Sequence, residues 1–428
     1  MQPGKYILIL FMWIIFTNSN SFAQLIAYRF DKLINGNGEV TLDAVIYIEG
    51  NRIVKVNSGI KNIPAGTKLV DMRPLVALPG LIDVHTHITF YWEKSFGTNP
   101  WKDADKIHPA VLVFLAQASA YKTLECGVTT IRDLGSWKGM DLAMRDLINR
   151  GAMQGPRMFI AGNGLHVSMY PNDPLYPEYW PGKAENEAEI AKVIRQEIAS
   201  GVDWIKMYAS TGSDQDVTGF QTYTLEEMKL ACNIAHKAGK RIAVHSYGPE
   251  AARDGVLAGA ESIEHATGLT KADFELMNQM GSYYIPTVDH NRYYVDHAHE
   301  YGYDEQVKMK LQGYLSRNFE TLKLAVQMNV NIAMGSDAVF TGFGENTREL
   351  EWFVKAGMSP LEALKTATIH GAKLLGRDHD LGQVATGFFA DLVAVEGDPA
   401  KDIQAIVKGV KWVMKDGKVC IDKINLKK

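Results

Sequence analysis

Eight short apolar runs, rich in β-branched residues, recur through the middle of the chain, and longer stretches of helical period separate several of them. The runs are Leu78–Ile88, Val128–Leu134, Arg157–Ala161, Trp204–Ala209, Arg241–Ser246, Ser262–His265, Tyr283–Val288 and Asn331–Ser336. Between them lie segments such as Pro109–Glu125, Glu187–Ser200 and Thr224–Ala238, whose apolar residues return every three or four positions. Strands alternating with helices read as a parallel sheet with crossover helices. Eight of them in this order predict a closed (β/α)₈ barrel rather than an open doubly wound sheet. Thr224 with Glu227 three residues on predicts a capping box at the start of the third helical segment.

The flanks have a different texture. Ala44–Glu49 and Ile53–Val56 surround Gly50-Asn51, and Asp391–Val395, Ile406–Val413 and Val419–Ile421 lie near the other end, with Asp416-Gly417 as a hairpin turn. Residues 24–76 and 383–428 are therefore expected to pair into one small β-sandwich beside a catalytic barrel spanning 77–382. Residues 1–23 are set apart again. Lys5 precedes an apolar run from Tyr6 to Phe16, too short to span a bilayer, and Ser21-Phe22-Ala23 places small residues before a cleavage point. This is the pattern of a signal peptide, which predicts export and a mature chain starting at Gln24 with no lasting membrane insertion.

The formal net charge of -4 gives no electrostatic reason to expect nucleic acid as a partner. Cys126, Cys232 and Cys420, an odd number at wide spacing, give no disulfide framework. The composition also leaves open whether the chain forms a homo-oligomer.

Barrel enzymes carry their chemistry on the C-terminal ends of the strands. The first strand ends in Asp83-Val84-His85-Thr86-His87, and strand alternation puts His85 and His87 on one face, within reach of one ion. Lys206 stands inside the apolar run Trp204–Ala209, where an ammonium is costly unless neutralised, paired or used. His245, His265 and Asp337 end the fifth, sixth and eighth strands. Each alone reads equally as a satisfied core group; the six together, all at strand ends, do not. A second pair, His297 and His299, follows no strand and reads as a solvated loop or helix. His108, His236, His370 and His379 lie away from strand ends and read as structural or solvated.

The segment Leu78-Pro79-Gly80-Leu81-Ile82-Asp83-Val84-His85-Thr86-His87 resembles the first-strand motif of the amidohydrolase superfamily. Lys206, His245, His265 and Asp337 match its other ligand positions in order, and Gly387–Val393 resembles its return into the β-domain. Thr129–Gly135, the Lys206 segment and Gly335-Ser336-Asp337-Ala338 are most similar to the branch of prolidase-like dipeptidases and N-acyl-amino-acid carboxypeptidases.

The resemblance implies two divalent ions, with zinc expected and manganese, iron or cobalt as alternatives. It implies that Lys206 is carboxylated and bridges them. One ion would take His85, His87, the carbamate and Asp337; the other would take the carbamate, His245 and His265. Asp337 would be the catalytic acid and base. Tyr223 and His166 are the expected substrate-binding residues, and Asp289, His290 and Arg292 are expected at the mouth. Arg132 is expected to pair with Asp133 or another barrel carboxylate. The implied reaction is hydrolysis of the amide bond of a dipeptide or N-acyl amino acid. The alternatives are hydrolysis of a cyclic amide such as an imidazolone, or of a lactone or xenobiotic amide. Deamination fits less, because Tyr247 stands where deaminases of this superfamily carry a glutamate.

Overall fold

A computed structural model describes residues 24–61, 63–92, 94, 106–168, 181–213, 216–340 and 342–424, so the expected signal segment 1–23 lies outside the described residues. The first flank contributes β1 (Ile26–Ile34), β2 (Val40–Glu49), β3 (Arg52–Ser58), β4 (Lys68–Asp71) and β5 (Val76–Pro79). The middle contributes β6 (Leu81–Tyr91), β7 (Val128–Asp133), β8 (Arg157–Ile160), β9 (Trp204–Tyr208), β10 (Arg241–His245), β11 (Ser262–Glu264), β12 (Tyr283–Ile285) and β13 (Ala338–Phe340). The last flank adds β14 (Leu392–Val395), β15 (Val410–Lys415) and β16 (Lys418–Asp422).

The two flanks join. Their strands run β16-β15-β14-β5-β1-β2-β3 with β4 on β1, and the seam is the antiparallel pair β14–β5, from Leu392↔Pro79 to Val395↔Val76. The expected sandwich is thus one continuous sheet by hydrogen bonding, whose halves share a core. Strand alternation divides its sides. Phe30, Ile46, Ala77, Leu392, Ala394 and Trp412 face that private core, while Val76, Leu78, Val393, Val395 and Val413 pack on the barrel. Trp412, 3% exposed, lies with its ring 5.3 Å from Tyr28 and 6.4 Å from Phe30, tying the C-terminal strands to the N-terminal ones. Trp412→Ala is expected to lower stability by about 3–5 kcal/mol, read as a lower urea midpoint, because the cavity opens at this seam. An unchanged midpoint would mean the two flanks do not hold each other.

In the barrel, β13-β6-β7-β8 and β9-β10-β11-β12 form two parallel four-stranded sheets. Single bridges close the ring, Leu165↔Met207 between β8 and β9 and Tyr284↔Ile332 beyond β12. The helices Pro109–Glu125 and Glu187–Ser200 have the expected bounds. The helix Leu225–Lys237 carries the Thr224/Glu227 capping box.

Four boundaries differ from expectation, and the first is Tyr283–Val288, where the strand stops at Ile285, Thr287 turns left-handed and a helix begins at Val288. Leu78–Ile88 is two strands, broken at Gly80, where a Cβ would lie 2.1 Å from Thr129 Oγ1. Ile406–Val413 splits into a short helix, Gln404–Val407, and β15. Asn331–Ser336 forms no regular ladder. Met334 accepts from the Val84 amide but donates to Thr366, and regular pairing on β6 begins only at Ala338.

Candidate metal centre

β6 presents Asp83, His85 and His87 on one face, and each imidazole is oriented from behind. His85, fully buried, donates from Nδ1 to Glu264 Oε2 at 2.7 Å, and His87 donates from Nδ1 to the Gly135 carbonyl at 3.1 Å. A ring that donates from Nδ1 keeps its lone pair on Nε2. Both Nε2 atoms turn towards Asp337 Oδ1, at 3.5 Å from His85 and 3.3 Å from His87. The ligand atoms of His85, His87 and Asp337 lie within 4.8 Å of one another, an arrangement able to hold a metal ion.

Lys206 on β9, His245 on β10 and His265 after β11 complete the cluster. The His265 ring lies 4.7 Å from that of His245 and 4.8 Å from that of His85, centroid to centroid. Strict alternation would send Glu264 and His265 to opposite faces. A left-handed turn at His265 (φ +73°) brings both inward, and Asp337 turns the same way (φ +51°).

The chemistry of this set fits divalent ions. Among the described residues, His85 Nε2, His245 Nε2 and Lys206 Nζ are buried without a hydrogen-bond partner, a condition that costs free energy unless some other group satisfies them. Burial, then the Lys206 charge, holds the His85 and His245 imidazoles well below their ordinary pKa, and burial does the same for His265. They are therefore neutral, as metal ligands must be. Burial pushes the Asp337 carboxyl up, but His290, His85 and His87 outweigh it and hold it well below the carboxylate range. Burial brings Lys206 down to about 8, so near that pH a large share is free amine.

Several supporting residues were not singled out by spacing. Glu264, fully buried, accepts from His85 on one oxygen and from Arg132 Nη2 at 3.0 Å on the other, so Arg132 pairs with this carboxylate rather than Asp133. Asp83, whose carboxyl burial raises to about 6, accepts from the Ser336 and His85 amides, from Ser336 Oγ and from Asn346. It thereby ties β6 to the segment that delivers Asp337. His290 donates from Nδ1 to the Asp337 carbonyl at 2.8 Å, placing this mouth residue against a ligand.

The two expected substrate residues sit on one neighbouring segment. His166 bridges to Lys183, and burial lowers its pKa to about 4. Tyr223 is only 2% exposed and donates its hydroxyl to the Ala184 carbonyl at 2.9 Å, so that hydroxyl is committed to the protein rather than turned to the ligands. The tyrosines whose rings lie against a ligand are Tyr247, stacked on His245 at 5.1 Å, and Tyr208, 5.4 Å from the same ring. Arg292 is occupied by Asp289, Asp296 and Glu345. His297 pairs with Glu300 beside the helix Ala298–Tyr301, away from any strand.

A parallel barrel with imidazoles, a lysine and an aspartate gathered at its strand ends defines a barrel enzyme of the metal-binding kind. Residues 76–420 match the amidohydrolase family, and the chain belongs to it. Members of this family generally bind divalent metal. The chain is 28% identical to the ochratoxinase of Aspergillus niger over 416 aligned residues, covering 90% of this chain and 85% of that one. The crystal structure of that ochratoxinase superposes with a TM-score of 0.80 at 26% identity, covering 93% of this chain and 95% of that one. The crystal structure of a Xaa-Pro dipeptidase with methionine bound in its active site superposes with a TM-score of 0.84 at 30% identity, covering 92% and 99%.

Proposed function

We propose that this amidohydrolase cleaves the amide bond of a dipeptide or N-acyl amino acid at a dinuclear centre. The observation that carries the reading is the buried Lys206 amine, which like the buried Nε2 atoms of His85 and His245 has no hydrogen-bond partner among the described residues, and whose charge acts on both imidazoles. The likeness to a Xaa-Pro dipeptidase supports the peptide-like substrate.

In this scheme a free Lys206 amine adds CO₂ and loses a proton, becoming a carbamate with two ligand oxygens. His85, His87, Asp337 and the carbamate would hold one ion; His245, His265 and the carbamate would hold the other. Zinc suits imidazole and carboxylate donors. Two such ions would supply Lewis acidity to a water molecule and to the amide carbonyl. Asp337 accepts the proton that the water loses as the new C–O bond forms. It returns that proton to the nitrogen as the C–N bond breaks, so the amine leaves neutral. Glu264 and the Gly135 carbonyl keep His85 and His87 in the tautomer that exposes Nε2.

The test is an assay of dipeptides and N-acyl amino acids with protein purified in zinc and bicarbonate, alongside metal analysis. Free amino acid released by protein holding about two ions per chain is the expected result. Two ions without peptide cleavage would move the substrate to cyclic amides and lactones. One ion or none, with no turnover, would overturn the scheme.

A further inference from the structure

Strand β12 contributes no ligand, yet the chain leaving it touches two. His265 Nδ1 lies 2.7 Å from Thr287 Oγ1, and the Asp337 carbonyl accepts from His290 Nδ1 at 2.8 Å. His290 Nε2 lies a further 3.4 Å from Asp337 Oδ2. The same short segment therefore reaches a ligand on each side of it, one from β11 and one from the run before β13.

This segment is itself held firmly. Thr287 is fully buried in a left-handed turn (φ +48°), and the helix Val288–Asp296 starts at the next residue. The buried Glu349 caps that helix, accepting from the Val288 amide at 2.9 Å and the Asp289 amide at 2.8 Å. Asp289 is fixed in turn by Arg292 and by Trp352 Nε1 at 2.9 Å. His290 packs edge-on against Tyr294, with ring centroids 4.7 Å apart. Partners behind a ligand fix its tautomer and orientation, and their loss typically weakens metal affinity about 10–100-fold.

We propose that Thr287 and His290 are positioning residues that clamp one ligand of each ion from the exit of β12: Thr287 holds His265, and His290 holds Asp337. With Nδ1 of His265 carrying the proton, Thr287 Oγ1 accepts it and Nε2 keeps its lone pair for the ion. His290 restrains the peptide that sets the direction of the Asp337 carboxylate. The inference rests on the two-ion reading above, in which His265 and Asp337 serve different ions.

The experiment is a zinc titration of the metal-free full chain against a chromophoric chelator, which needs no substrate. Thr287→Val removes the accepting oxygen, and His290→Phe removes the donor while keeping the ring against Tyr294. Each is expected to weaken one binding step about tenfold and leave the other unchanged. The double variant is expected to weaken both steps, because the ions differ. Thr287→Ser and His290→Asn keep the oxygen and the donor nitrogen and should recover most of the affinity. Melting of the metal-free variants checks folding, and Thr287→Ala replaces Thr287→Val if the latter does not fold. Unchanged affinity in the two removal variants would overturn the clamp. So would a double variant that weakens a single step about a hundredfold, since both residues would then act on one ion. Wild-type protein that binds fewer than two ions would instead overturn the underlying two-ion reading, and that failure is visible before any variant is made.

Discussion

Lys206→Ala is expected to lower hydrolysis roughly 10³-fold and to reduce bound metal to one ion or less. Bridging charge stabilisation of several kcal/mol is lost, at about 1.4 kcal/mol for each factor of ten. Short carboxylates such as formate or acetate should restore part of the rate, because they bring two oxygens into the space the side chain vacates. Lys206→Met should lose the rate just as fully, yet without rescue, since its thioether fills that space. The same residue makes an opposite prediction for stability. Lys206 Nζ is buried with no hydrogen-bond partner among described residues, and burying such a group costs about 1–3 kcal/mol. Metal-free Lys206→Met should therefore unfold at a urea concentration no lower than the wild type. Full activity in Lys206→Ala would end the dinuclear scheme. A less stable Lys206→Met would mean the amine is satisfied where it stands.

What could be read from the chain depends on whether a residue is anomalous in its own neighbourhood. Lys206 inside Trp204–Ala209, and the histidines ending apolar runs, stand out because polar groups are costly there. Their order along the chain is also the order of the strands that carry them. Glu264, Thr287 and His290 are different. Each is ordinary in sequence and acquires its role from a partner across the barrel: His85 for Glu264, His265 for Thr287, Asp337 for His290. No periodicity encodes that. The left-handed turn at His265 defeats the alternation that would have sent Glu264 outward. The segment Asn331–Ser336 misleads for a related reason. Gly335 lies so close to the first strand that a Cβ there would sit 2.8 Å from the His85 Cβ and 2.4 Å from Ile285 Cγ2. Its apolar pattern thus reports close packing rather than a regular ladder. Tyr223 shows the limit for substrate residues, because spacing cannot say which of several tyrosines near the mouth turns towards the ligands.

Arg132→Met is expected to cost about 3–5 kcal/mol, among the largest stability effects available in the barrel. Arg132 is fully buried, donating to the Val84 carbonyl at 2.6 Å, to Ser262 Oγ at 2.9 Å and to Glu264 at 3.0 Å, with its guanidinium 4.4 Å over the Trp204 ring. A buried ion pair adds little over an apolar replacement of both partners, but removing one partner strands the other charge. Arg132→Met leaves the buried Glu264 carboxyl with Ser262 and His85 as its remaining hydrogen-bond partners among the described residues. Denaturant unfolding of the metal-free chain should show the loss, and the double variant Arg132→Met/Glu264→Leu should recover much of it. The metal site separates the two variants. Arg132→Met keeps the His85–Glu264 bond, whereas the double variant leaves His85 Nδ1 without its acceptor. Zinc affinity should therefore fall about 10–100-fold only when Glu264 is removed. Recovery of stability without loss of affinity in the double variant would show that Glu264 serves the barrel core alone. Loss of affinity in Arg132→Met would show that the arginine, rather than the carboxylate, sets the orientation of His85.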